Sequence, residues 1–179
     1  KTAWLFPGQA SQKVGMGLDL YEKTDIGKTY FDIADDIMGF DLKSIIFHGP
    51  EQTLKETRFT QPSIYIVSVI LGKLLMEKGL SPSTIAGHSL GEYSALSVAD
   101  SFDFETGLKL VKVRSEKMSQ AGKENKGIMA AIVGLQDEKI TSLCKDYGGD
   151  GVVVPANFNS PGQVVISGSS EAVRSVMKT

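Results

Sequence analysis

The nine residues 84–92 read TIAGHSLGE and join a short apolar run to a stretch with helical spacing. We interpret the first four as a short buried strand, and we expect a helix from Leu90 to Ala99. Between them the chain matches the pattern G-x-S-x-G, which in a strand–turn–helix setting holds a serine on a sharp turn with its hydroxyl clear of the backbone. The stretch therefore makes Ser89 the candidate nucleophile.

The turn around Ser89 also has the features of an oxyanion-binding site. Gly87 and Gly91 are small enough for the strand and the helix to crowd together. The helix N-terminus then directs N–H groups and a positive dipole end toward the serine, and the N–H of Leu90 is the first candidate donor. The alternative interpretation is an ordinary tight turn with a capping serine, which the strand–turn–helix setting disfavours.

Strands and helices alternate through the rest of the first two thirds of the chain. Ala3 to Phe6 is a continuous apolar run before a Pro-Gly pair, which is typical of a buried parallel strand that ends in a turn. Helices are predicted around residues 26–37, 62–78 and 105–120, with Pro62 as the first residue of the second. This rhythm predicts an α/β fold with a parallel sheet over residues 1–125.

The pattern changes after Lys126. The predicted order is a strand (128–133), a helix (137–147), two strands (152–154 and 164–167) joined through a loop at 157–162, and a helix from Ser170. This β-α-β-β-α order is one strand short of a split βαβ unit. We therefore predict a second domain at 126–179, with both domains incomplete at the C-terminal end and a natural polypeptide that continues beyond Thr179.

Arg114 lies on the predicted helix 105–120, and at about 100° per residue it shares one face with Leu110, Val111 and Met118. A guanidinium on an apolar face needs a partner, because burying an unpaired charge is costly. Its planar fork suits a carboxylate. That carboxylate is either a structural partner, for example Glu92, or the acid group of a substrate, and the residues alone leave both open.

A nucleophilic serine needs a general base, and the chain has 2 histidines. His88 is next to Ser89, so its side chain is expected to diverge from the serine at the turn. His48 lies in a polar turn and is expected at the surface. We therefore expect the general base to lie beyond Thr179.

Composition narrows the function classes. A formal net charge of −2 on 179 residues gives no whole-chain attraction to nucleic acid or to an anionic membrane. The single cysteine, Cys144, is interpreted as a core residue. We find no metal-ligand cluster, no phosphate-binding glycine loop and no stretch long or apolar enough to cross a bilayer. The chain starts without a signal-peptide layout, so a cytoplasmic location is expected.

Five motifs, in order, resemble the acyltransferase domains of fatty-acid and polyketide synthesis. They are FPGQASQ with VGMG (6–17), TQP (60–62), GHSLGEY (87–93), VR (113–114) and NFNSPGQVVISG (157–168). The resemblance covers essentially the whole chain, and five motifs in the right order are far more specific than one. It implies an α/β-hydrolase-like parallel-sheet domain with an inserted ferredoxin-like subdomain.

The resemblance also implies a ping-pong acyl transfer. Ser89 would attack the thioester of malonyl-CoA, and the phosphopantetheine thiol of an acyl carrier protein would then take the malonyl group. The N–H groups of Gln9 and Leu90 would form the oxyanion hole, Arg114 would hold the free malonyl carboxylate, and a histidine from a later segment would be the base. CoA is then a substrate, and no cofactor is expected. Ala10 stands where many relatives have glycine, which tolerates more backbone conformations.

Three other interpretations compete with this one. A serine esterase or thioesterase uses the same turn, and water hydrolyses its acyl-enzyme. Such an enzyme has no need of Arg114. An acyltransferase module of a larger synthase is the second, although a chain that starts at the first strand favours a free-standing enzyme. A non-catalytic relative is the third, and the presence of Ser89, Gln9 and Arg114 disfavours it.

Overall fold

In the computed structural model, which describes residues 1–178, the chain divides into two compact units. The first is Lys1–Gln120, and the second comprises residues 121–178. The domain boundary expected at 125/126 stays a prediction, and Thr179, the last residue of the predicted second domain, lies outside the described residues.

The first unit contains a parallel sheet. Its strands β1 (Ala3–Phe6) and β2 (Thr84–Gly87) pair in parallel, with Phe6 opposite Gly87. The predicted α/β class with a parallel sheet is therefore confirmed. The helices are α1 (Leu18–Lys23), α2 (Asp25–Met38), α3 (Leu42–His48), α4 (Glu51–Leu54), α5 (Thr57–Glu77), α6 (Gly91–Val98) and α7 (Phe104–Glu124).

The two strands are less buried than the sequence suggested. Phe6 is 8% exposed and Trp4 packs against the core, but Leu5 is 78% exposed. Successive side chains of a strand point to opposite faces, and within the described residues only the face that carries Trp4 and Phe6 is covered. The expectation of fully buried strands is therefore wrong.

Helix α2 follows the sequence prediction closely. The Thr24 side chain accepts a hydrogen bond from the N–H of Gly27 at 3.0 Å and so caps the start of the helix. Gly39, with a φ of 80°, ends the helix in the left-handed conformation that glycine adopts most readily. Phe31 and Ala34 lie between these caps and are buried in the core.

Helix α5 runs through the core of the first unit. It begins at Thr57, so the predicted start at Pro62 is wrong, and Pro62 lies inside the helix. A proline removes one backbone hydrogen bond from the turn before it. The turn that contains Pro62 is also held by a side chain, because the Thr60 hydroxyl donates a hydrogen bond to the carbonyl of Leu54 at 2.5 Å.

The length and composition of α5 would also allow it to cross a membrane, contrary to the sequence-based expectation. The interruptions at Ser68, Gly72 and Lys73 are outweighed by the apolar residues around them. However, 67% of the apolar window is buried inside the chain, as it is in the core helix of a globular domain. The helix is therefore weak evidence for a membrane span.

The second unit is a three-stranded antiparallel sheet packed with two helices. The elements are β3 (Ile128–Val133), α8 (Asp137–Lys145), β4 (Val153–Ser160), β5 (Gln163–Gly168) and α9 (Ser170–Val176), and the strand order is β3-β5-β4. The predicted loop at 157–162 is wrong, because Asn157 to Ser160 extend β4 and the turn is shorter. Cys144 is buried in this core as expected, and burial raises the pKa of its thiol.

Candidate active site

Ser89 lies on a strained turn between β2 and α6. Its φ of 54° places it in the left-handed region, which residues with a β-carbon rarely adopt. Strand β2 ends at Gly87 and α6 begins at Gly91, so the turn is three residues long. A strained residue of this kind persists only where its surroundings hold it, and such residues cluster at functional sites.

Close packing of backbone on backbone holds this turn in place. A β-carbon added to Gly87 would lie 2.1 Å from the carbonyl carbon of Gly91, and one added to Gly91 would lie 2.1 Å from the carbonyl oxygen of Phe6. The N–H of His88 also donates to the carbonyl of Phe6 at 3.0 Å. The predicted crowding of strand and helix around the serine is therefore present, and only glycine fits at either position.

The substitution Gly91→Ala tests this crowding. We expect it to lower the free energy of unfolding by about 2–3 kcal/mol, because the added methyl group meets a backbone atom that has little room to move. Gly122→Ala is the matched control, since Gly122 lies in α7 with open space around it, and it should raise the same quantity by about 0.5–1 kcal/mol. Urea denaturation followed by circular dichroism measures both. Equal stability of the two variants would contradict the crowding argument.

The guanidinium of Arg114 reaches the nucleophile directly. Its Nη2 donates to the Ser89 Oγ at 3.0 Å, and its Nη1 donates to the Gln61 Oε1 at 2.6 Å. The same group lies over the ring of Tyr93, 5.7 Å from the ring centroid. Within residues 1–178 no carboxylate forms an ion pair with Arg114, so the structural pairing with Glu92 that the sequence left open is not found.

The apolar face that was expected around Arg114 is only partly correct. Val111 is buried, but Leu110 and Met118 are each 46% exposed. The buried face of α7 is formed instead by Phe104, Gly107, Leu108, Val111 and Ser115. Arg114 is half-buried at the border of this face, where a cation can be held by the protein and still face a ligand.

Leu90 and Gln9 lie at the two sides of the turn. Leu90 precedes the first residue of α6, and its side chain is 1% exposed, so its backbone is fixed by the core. The loop that carries Gln9 packs on the turn, because a β-carbon added to Gly8 would lie 2.7 Å from the carbonyl oxygen of His88. Among the described residues neither the N–H of Gln9 nor that of Leu90 has a hydrogen-bond acceptor. Both donors are therefore available to an oxyanion.

The loop around Gln9 is held by its own hydrogen bonds. The Ser11 hydroxyl donates to the carbonyl of Gly8 at 2.8 Å, and the N–H of Ala10 donates to the Gln12 Oε1 at 2.9 Å. Ala10 has a φ of 85°, so it occupies the left-handed region that favours glycine. The Gln9 side chain donates to the Thr57 hydroxyl at 3.3 Å. The loop is therefore ordered without using the Gln9 N–H.

The two histidines lie at the serine turn and at the end of α3. His88 lies beside Ser89 in the chain, but its Nδ1 is 3.0 Å from the position of a β-carbon on Gly8, so the ring faces that loop. His48 is exposed at the end of α3 and packs edge-on to Phe47. Within the described chain the Ser89 hydroxyl accepts a hydrogen bond from Arg114. The base expected beyond Thr179 stays a prediction.

Gln61 is a component of the site to which the sequence reasoning assigned no role. It is only 1% exposed, and its side chain contacts Arg114 and Met118. The available signal was a polar residue immediately before Pro62 in an apolar helix, within a motif already noted for its resemblance. A buried amide in such a position needs specific partners.

The residues assembled here suit acyl transfer. A serine hydroxyl, two available backbone donors and a cation lie around one turn. In the region the structure covers, no group of three His, Cys, Asp or Glu side chains is placed to hold a metal ion. A nucleophile with an oxyanion site is the arrangement by which acyl groups are taken from esters and thioesters.

The chain belongs to the acyl transferase domain family, whose model matches residues 3–179. Among its relatives, the malonyl CoA-acyl carrier protein transacylase of Synechocystis is 46% identical over 177 residues, which are 99% of this chain and 58% of that protein. The chain therefore spans little more than half the length of the curated relatives that it matches.

Solved structures of malonyl transferases also superpose closely on this chain. The acyl carrier protein S-malonyltransferase of Vibrio cholerae superposes with a TM-score of 0.89 at 45% identity, covering 98% of this chain and 58% of that one. A malonyl-transacylase in complex with a type II polyketide synthase acyl-carrier protein also gives a TM-score of 0.89, at 43% identity, with 99% and 58% covered.

Proposed function

We propose that the protein carrying this chain transfers the malonyl group from malonyl-CoA to the phosphopantetheine thiol of an acyl carrier protein. The single observation that carries the proposal is the position of the Arg114 Nη2, 3.0 Å from the Ser89 Oγ. The names of the relatives from Synechocystis and Vibrio cholerae support the choice of malonyl group and carrier protein.

In the first half-reaction the Ser89 hydroxyl attacks the thioester carbonyl of malonyl-CoA. The negative charge that develops on the carbonyl oxygen is stabilised by the N–H groups of Gln9 and Leu90. The carbon–sulfur bond then breaks, CoA leaves as its thiol, and the malonyl group remains as an ester on Ser89. The serine proton passes to a base, which returns it to the departing CoA sulfur and which we expect to be a histidine further along the polypeptide.

The geometry around Ser89 suits a short diacid. In a malonyl thioester the carboxylate carbon lies two bonds from the carbonyl carbon, a distance of about 2.5 Å. A cation that binds this carboxylate must therefore lie within a few ångströms of the nucleophile, as Arg114 does. A guanidinium can donate to both carboxylate oxygens at once, which fixes the substrate in one orientation.

In the second half-reaction the carrier-protein thiol attacks the malonyl ester on Ser89. The thiol proton passes to the base and from it to the leaving serine oxygen, and a new thioester forms on the carrier protein. Both half-reactions pass through an oxyanion at the same position, so one pair of N–H donors serves both. CoA enters as a substrate, and the proposal requires no cofactor.

The finer features of fold and location belong to the same proposal. The first unit is interpreted as part of an α/β-hydrolase-like domain, and the antiparallel sheet of the second as part of an inserted ferredoxin-like subdomain. The β-α-β-β-α order of the second unit supports the latter.

We assign the protein to the cytoplasm and to fatty-acid synthesis. A polyketide pathway is the alternative, since one structural relative is bound to a polyketide carrier protein.

The test is intact-protein mass spectrometry on the protein expressed from its complete reading frame. The protein is mixed with malonyl-CoA or with acetyl-CoA in the absence of carrier protein. We expect a malonyl adduct on Ser89 that is much stronger than any acetyl adduct. Equal amounts of malonyl and acetyl adduct would contradict the role of Arg114 in selecting the malonyl group. Release of free CoA without an adduct would show a thioesterase, and no reaction would show a non-catalytic relative.

A further inference from the structure

Gln61 connects two elements of the site through one amide group. Its Oε1 accepts from the Arg114 Nη1 at 2.6 Å, and its Nε2 lies 3.3 Å from the Met118 sulfur, a weak acceptor. The side chain is 1% exposed, so solvent does not compete for either contact. Gln61 lies on α5, whereas Arg114 and Met118 lie one turn apart on α7.

The orientation of the Gln61 amide is dictated by chemistry. A guanidinium has five N–H donors and no acceptor, so only the carbonyl oxygen of the amide can face Arg114. The amino group is then directed to the other side, where it meets Met118. Pro62 follows directly and Thr60 is bonded to Leu54, so the backbone that carries the amide is also restrained.

A neutral acceptor holds an arginine without cancelling its charge. Arginine side chains carry substantial rotamer freedom, and a bond to one Nη removes part of it before a ligand arrives. A carboxylate in the same place would pair with the guanidinium and compete with an acidic ligand. Two of the five donors of Arg114 are used by Gln61 and Ser89, which leaves three for a ligand.

We infer that Gln61 is a positioning residue that holds the Arg114 guanidinium beside Ser89 while leaving its charge uncompensated. It thereby contributes to selectivity for an acyl group with a free carboxylate, without itself contacting the substrate. This inference rests on the proposed function, since it assumes that Arg114 binds the substrate carboxylate. A residue that only filled the core would affect all acyl groups equally.

The experiment compares Gln61→Met with Gln61→Glu in the protein expressed from its complete reading frame. Methionine keeps the length of the side chain and removes the acceptor, whereas glutamate keeps an acceptor and adds a competing charge. Gln52→Met is the matched control, because Gln52 is exposed on α4. The second-order rate constant for acyl-enzyme formation is measured with malonyl-CoA and with acetyl-CoA. The melting temperature of each variant is measured as well.

We expect Gln61→Met to lower malonyl transfer to the serine by about 10- to 100-fold, the effect of losing a hydrogen bond to a charged group. Transfer of acetyl should stay within about twofold of the parent value, because acetyl has no carboxylate to position. Gln61→Glu should lower the malonyl rate at least as far, and Gln52→Met should change neither rate. In an Arg114→Ala background, Gln61→Met should have no further effect on the malonyl rate.

The possible outcomes distinguish a failure of the positioning role of Gln61 from a failure of the proposed function. If Arg114→Ala removes the malonyl preference but Gln61→Met lowers both rates equally, or changes neither, the positioning role is overturned and the proposed function stands. If Arg114→Ala itself leaves the preference intact, the proposed function fails and the inference fails with it. A malonyl rate restored to the parent value in Gln61→Glu would overturn the argument that the acceptor must be neutral.

Discussion

Replacing Ser89 with alanine is expected to abolish acyl-enzyme formation. The substitution leaves the turn and its left-handed φ of 54° in place and removes only the hydroxyl that accepts from Arg114. Loss of a catalytic serine lowers turnover by about 10⁴- to 10⁶-fold in enzymes of this type. Mass spectrometry after incubation with malonyl-CoA should show no added mass on the variant, and steady-state transfer to carrier protein should fall to the background rate.

The control for Ser89→Ala is Ser44→Ala, which removes the hydroxyl of an exposed serine on α3. It should acquire the malonyl adduct like the parent protein. Both variants should unfold at similar urea concentrations, which would exclude misfolding as the cause of inactivity. A stable malonyl adduct on Ser89→Ala would place the nucleophile elsewhere.

Arg114→Ala is expected to change the preferred acyl group. Removing the guanidinium should lower acylation by malonyl-CoA by about 10²- to 10³-fold, because two charge-assisted hydrogen bonds to the carboxylate are lost. Acylation by acetyl-CoA should stay the same or rise, since it needs no cation. The measurement is a competition between the two thioesters at equal concentration, with the adducts resolved by mass.

Two further variants refine the Arg114 experiment. Lys117→Ala removes an exposed cation from the same helix and should leave the competition unchanged. Arg114→Lys keeps the charge but loses the planar fork, so it should restore only part of the malonyl preference. An unchanged ratio of malonyl to acetyl adduct in Arg114→Ala would disprove the proposal that Arg114 binds the malonyl carboxylate.

The turn around Ser89 could be predicted because its determinants are contiguous. The segment 84–92 contains the strand, both glycines and the start of the helix, and each feature has a local physical cause. The partner of Arg114 could not be predicted in this way. Gln61 lies 53 positions from Arg114 in the chain, and no local periodicity relates the two. The sequence therefore identified the cation and the need for a partner, but not which residue supplies it.

The errors in the fold have equally specific causes. Pro62 was expected to begin a helix because proline has no N–H to lose there, but a preceding turn already held by Thr60 accommodates it five residues later. The residues from Asn157 to Ser160 are predicted to connect two strands, whereas they pair with β5, with two irregularities in register, and so belong to β4. In both places a contact with a neighbouring segment decided the structure, and propensity alone does not describe such contacts.

The contact between Phe6 and Gly91 has a consequence for how the protein folds. The strand that supports the turn is separated from it by more than 75 residues, nearly all of them helical or in the loops between helices. Contacts of such high sequence separation carry the largest loop-closure entropy and form late. The local signals at 84–92 can start the turn, but the nucleophile reaches its working geometry only when the ends of this long segment have come together.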